Sequence, residues 1–84
     1  MVDMSEATNI ENGAKKIIKQ WNLIRLRKEA GYTQLEIAKF LNIDISTYLY
    51  KENGQRDFLS SEMFAISNLL DKKIDQIFLP PNSN

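Results

Sequence analysis

The sequence predicts an all-α protein of five short helices around one core, and three observations lead there. Apolar residues recur at steps of three and four, capping and turn residues stand at the breaks between these stripes, and no stretch alternates as a half-buried strand would. The chain has 84 residues, fewer than two cores of roughly 60 residues each would need. With 43% apolar and 26% charged residues, three Gly and two Pro, it has the balance of a folded chain, not of a disordered or collagen-like one.

Residues 1–13 are polar and acidic, show no helical period and read as a flexible arm. A single domain is expected over 14–79, followed by an exposed tail over 80–84. The first helix is expected over 14–30, where Ile17, Ile18, Trp21 and Ile24, then Leu23, Leu26 and Ala30, repeat at helical spacing with basic residues on the other side. Gly31 suits a left-handed C-cap, and Thr33 with Glu36 three residues on forms a capping box that opens the second helix. That helix, Gln34–Leu41, puts Ile37, Ala38 and Leu41 on one face and is only about 12 Å long, too short to stand alone.

Asn42 can end this helix in a left-handed conformation, Ile43 is the apolar residue of the connection, and Asp44 or Ser46 is expected to cap a third helix reaching about residue 53. Gly54 stops it, and residues 55–59 form a loop from which Phe58 closes over the core. Ser60 or Ser61 then opens a fourth helix with the stripe Met63, Ile66, Leu69 and Leu70. Asp71, Lys72 and Lys73 make a turn, and a last short helix ends before Pro80 and Pro81.

Composition removes most chemistry. Without Cys or His there is no disulfide, no thiolate or imidazole metal site and no nucleophile–imidazole pair, so neither a metal nor a cofactor is expected. No Gly-rich phosphate loop is present either, and an enzyme is not expected. No apolar run reaches the roughly 18 to 20 residues of a membrane span, and Asp3 and Glu6 stand where a secretion signal would be basic. A cytoplasmic location is expected.

Two helices of about eight residues joined by a short connection make a helix-turn-helix pattern, in which packing holds the second helix out as a rod that fits a DNA major groove. Several residues add to the spacing: Leu26-Arg27, Gly31, Thr33-Gln34, Ile37-Ala38, Ile43 and Glu52-Asn53-Gly54. The segments GYTQLEIAKFLNIDISTYLYKENGQRDF and LLDKKIDQIF resemble the lambda-repressor and Cro-like family, also called Xre-type regulators, and the likeness covers roughly residues 23–78.

The resemblance implies a compact five-helix bundle with residues 45–53 as recognition helix. It also implies a sequence-specific regulator that binds double-stranded DNA, a repressor acting as a homodimer by occupying a palindromic operator. By the same likeness Arg27 pairs with Glu52 as a structural ion pair. Thr33 and Gln34 approach the DNA backbone from the start of the second helix. Asn53, Gln55 and Arg56 do so from the loop after the third, with Lys39 and Lys51 as further donors.

The positions that face the bases fall on Asp44, Ile45, Ser46, Leu49 and Tyr50, and none is the Arg, Lys, Asn or Gln that makes bidentate base contacts. Ile45 can cover a thymine methyl, while Ser46 and the Tyr50 hydroxyl can reach base edges; Asp44 would repel phosphate and suits a cap better. Leu49 and Tyr50 expose apolar surface that equally suits a protein contact. A protein-interaction module, such as an antirepressor or antitoxin-like partner, is therefore the second reading.

Lys51 stands where many family members carry an apolar residue, and its stem can snorkel over the core. Tyr48 is the apolar anchor of the third helix. Ile74, Ile77, Phe78 and Leu79 are too apolar for a solvated end and are the candidates for a dimer surface; Trp21 belongs either to the core or to a dimer contact.

The formal net charge is zero, yet its parts are separated. Residues 1–13 carry three acids and no base, 14–58 nine bases against five acids, and 59–84 two bases against three acids. The basic part is the part that resembles a DNA-binding unit, so a modest local attraction is expected rather than a strong field.

Overall fold

Four residues in the left-handed region, Gly31 (φ 85°), Asn42 (φ 60°), Gly54 (φ 83°) and Asp71 (φ 55°), punctuate the computed structural model, which describes residues 18–78. Over them the chain forms five helices: α1 Trp21–Glu29, α2 Gln34–Leu41, α3 Ile45–Glu52, α4 Ser60–Leu70 and α5 Ile74–Ile77. No strand occurs among the described residues. The all-α class expected from the sequence is thus the class of the fold.

The best-defined start is that of α2. The Thr33 hydroxyl accepts from the Glu36 amide (3.1 Å) while the Glu36 carboxylate accepts from the Thr33 amide (2.8 Å), a reciprocal cap that satisfies two helix-end donors locally. Asn42 then ends α2 in the left-handed conformation. The start of α3 differs from expectation, whereas α4 opens at Ser60 as expected. Asp44 occupies the position before α3 but its side chain makes no capping bond, and Ser46 lies inside the helix. Ser60 is the first helical residue of α4, so Leu59 precedes it and the Glu62 carboxylate accepts from the Leu59 amide (2.8 Å).

The first helix is shorter than the 14–30 that its apolar period suggests. Residues 18–20 are not helical, and residues 14–17 lie outside the described residues. The cause is tertiary: the Gln20 amide donates to the carbonyl of Glu52 (2.9 Å), which turns the chain toward the end of α3 just before α1 begins. Gly54 makes this approach possible. A β-carbon there would overlap the Ile18 backbone carbonyl, and the positive φ disfavours a side chain as well.

Leu23, Leu26, Ile37, Ala38, Tyr48, Ile66, Leu70, Ile77 and Phe78 form the buried core, with every helix contributing or adjoining it. Phe58 joins Tyr48 and Phe78 through edge-on ring contacts, with centroids 6.1 and 5.1 Å apart. This places the C-terminal apolar segment otherwise than expected. Ile77 is fully buried and Phe78 nearly so, because α5 folds back against α1 and α4; both are core residues, not dimer surface. Ile74 is half-buried against the same core, and Leu79 lies outside the described residues. Trp21 is 61% exposed and so does not extend the core. Among the described residues no helix is long and apolar enough to cross a membrane.

Candidate nucleic-acid interface

The pair α2–α3 is held by one buried carboxylate. Glu52, at the last turn of α3, is 1% exposed and accepts from three side chains. Arg27 of α1 donates through Nε to Oε2 (2.9 Å) and through Nη2 to Oε1 (3.5 Å). Tyr48 donates its hydroxyl to Oε2 (2.7 Å), and Gln34 its amide to Oε1 (2.8 Å). Arg27 also donates through Nη1 to the Tyr32 carbonyl (3.0 Å), so its charge is buried and its donors are aimed inward. A buried carboxylate with a guanidinium and two neutral donors is the arrangement that compensates the desolvation of both charges.

Burial pushes the Tyr48 hydroxyl well above its ordinary pKa of 10.0, and its hydrogen bond to the Glu52 carboxylate and that group's charge push the same way. The folded chain then keeps a proton that the unfolded chain releases above about pH 10, so this contribution is complete below pH 10 and declines as pH rises further. Urea midpoints measured from pH 8 to 11 should therefore fall more steeply for the wild type than for Tyr48→Phe. Parallel curves would refute the coupling.

The outward face of α3 is less buried. Ile45 is 37% and Tyr50 48% exposed, Ser46 and Asp44 are exposed, and Leu49 is half-buried. Past the helix the chain folds back on itself, the amides of Gln55 (2.8 Å) and Arg56 (3.3 Å) both donating to the Tyr50 carbonyl. This brings the Arg56 guanidinium over the Tyr50 ring, 5.5 Å from its centroid. Asn53, Gln55 and Arg56 are all exposed. At the start of α2 Thr33 is exposed with its hydroxyl engaged in the cap, and Gln34 is half-buried with one amide hydrogen given to Glu52 and one left. Lys39 is exposed.

Lys51 departs from its expected place along a DNA backbone. It is 7% exposed, and its ammonium donates to Glu62 of α4 at 2.6 Å, forming a second buried ion pair. The charge is taken up inside the protein. Sequence reasoning missed Glu62, although a signal was present: Glu62, Ile66 and Leu70 follow at steps of four on the buried side of α4, and Lys51 follows Tyr48 by three on the buried side of α3. A charge on each of two facing buried stripes, with opposite signs, is the pattern of an internal pair.

A family model described as helix-turn-helix matches residues 23–77, the span from the first buried residue of α1 to the end of α5. No curated protein and no solved structure matches the chain. With the matched span, the two-helix unit and the carboxylate that joins it to α1 together, the chain belongs to the Xre and lambda-repressor-like helix-turn-helix family, a family of DNA-binding transcription regulators.

Proposed function

We propose that the protein is a sequence-specific regulator of transcription that binds double-stranded DNA as a homodimer at a palindromic operator, and that it represses by occupying that site in the cytoplasm. The reading rests on one observation above others. The exposed Ile45, Ser46 and Tyr50 of α3 are accompanied by polar donors at the start of α2 and after α3: Thr33, Gln34 and Asn53, which line one groove, and the exposed Gln55 and Arg56. Donors next to a recognition helix set its register on the duplex backbone while its exposed face meets base edges.

Base readout on this face would rely on apolar and hydroxyl contacts. Ile45 and Leu49 suit thymine methyl groups, and Ser46 and Tyr50 supply hydroxyls, so discrimination would draw on duplex shape as well as on direct contact. For a homodimer, Leu59 (61% exposed) and Phe64 (60%), with half-buried Ile74, offer apolar surface at the start of α4, on α4 and on α5.

Selection from a random duplex pool tests this reading, together with sedimentation of the protein alone and on the selected DNA. The expected result is an enriched palindrome bound by two chains, with half-sites about one helical turn apart. An unenriched pool would overturn it. The second reading, a protein-interaction module, is favoured by the absence of Arg, Lys, Asn and Gln among the base-facing positions, and an unenriched pool would put it first.

A further inference from the structure

We infer that the DNA-contacting surface extends onto α1 and the segment just before it, where Trp21 and Lys28 of α1 and Lys19 ahead of it form the second wall of a cradle for duplex backbone phosphates; this rests on the DNA-binding reading above. Trp21 and Lys28 of α1, with Lys19 just ahead of it, line an open groove together with Thr33 and Gln34 at the start of α2 and Asn53 after α3. The floor is the Arg27–Glu52 pair, which is buried and electrically balanced.

Two features point to a polyanion here. The donors already placed on the backbone side, Thr33, Gln34 and Asn53, are neutral, and neutral donors orient a phosphate without releasing a counterion. Of the basic residues expected along the backbone, Lys51 is paired internally with Glu62, which leaves Arg56 beyond α3 and Lys39 on α2, both exposed. Lys19 and Lys28 bring two further cations to the groove's edge, both exposed.

Trp21 explains how the wall is held. Its ring is 61% exposed although α1 has a buried side available, and the Lys19 ammonium lies 4.6 Å from the ring centroid. That contact fixes the position of a long side chain which would otherwise sample many rotamers. The indole N–H is a further donor to a phosphate oxygen, and the ring provides a flat surface against the sugar edge.

The chain contains a single Trp, so its emission reports on this wall alone. The experiment titrates the full chain with a selected duplex. Tryptophan emission and the anisotropy of the labelled DNA are followed together, and affinities are measured over a salt series for the wild type, Lys19→Gln, Lys28→Gln and Lys72→Gln. Circular dichroism melts establish that each variant is folded.

Trp21 emission is expected to change in step with anisotropy. The slope of log affinity against log salt should fall by about 0.9 in each of the first two variants, one phosphate apiece, and stay unchanged in Lys72→Gln, which lies in the turn after α4. Binding seen by anisotropy with no change in emission and unchanged slopes would overturn the second wall while leaving DNA binding intact. An equal loss of slope in Lys72→Gln would overturn it too, since the effect would then be one of overall charge. No binding to any duplex would overturn the DNA-binding reading and this inference together.

Discussion

Arg27→Met is expected to lower the stability of the fold by about 3–5 kcal/mol, the range for removing one partner of a buried ion pair. Glu52 would keep the Tyr48 hydroxyl and the Gln34 amide, but no cation would remain beside a carboxylate that is 1% exposed. At roughly 0.05–0.15 kcal/mol per residue, the roughly 60 described residues account for only about 3–9 kcal/mol in all, so the loss takes at least about a third of that stability. Urea unfolding at low temperature, with the wild type alongside, measures the difference. A loss below about 1 kcal/mol would mean that the pair behaves as a solvent-screened contact. Adding Glu52→Leu should recover part of the loss and not all of it, since Tyr48 and Gln34 would then be left without their acceptor.

The second large effect is expected at Lys51. Lys51→Met strands the Glu62 carboxylate, which retains only the Leu59 amide as a donor among the bonds it makes with Lys51 in place. A loss of about 3–5 kcal/mol is again expected. Here, however, the double variant Lys51→Met with Glu62→Leu should return close to wild-type stability. Two apolar side chains of similar length can fill the space, and the remaining deficit is about 1 kcal/mol for the cap at Leu59. The same double variant distinguishes an internal lysine from one that contacts DNA. Its log–log salt slope should equal that of the wild type, whereas a backbone contact by Lys51 would be seen as a slope lower by about 0.9.

The two ion pairs also show what a sequence can and cannot disclose. The extent of α2 was legible to the residue because its determinants are local: Thr33 and Glu36 bond to each other, and Asn42 takes a left-handed conformation that few residues tolerate. The start of α1 was not, because Ile17 and Ile18 continue the helical period while the hydrogen bond that turns the chain reaches from Gln20 to Glu52, more than thirty positions away. Apolar character likewise does not say what covers it. Ile77 and Phe78 suited a subunit contact as well as a core, and only the return of α5 against α1 and α4 decides for the core. Arg27 and Glu52 stood out through family spacing, whereas Lys51 and Glu62 required noticing a charge on each of two buried stripes before knowing that the stripes face each other.

The joint between the segment ahead of α1 and the end of α3 is made from main chain: the Gln20 amide, the Glu52 carbonyl and the close pass of Ile18 over Gly54. Of these positions only residue 54 is restricted in side chain by the joint itself. The main-chain contacts of this joint therefore do not themselves dictate which side chains stand at Ile18 and Gln20. What this close pass demands of a side chain comes down to a single hydrogen atom, the one that takes the place of a β-carbon in Gly54.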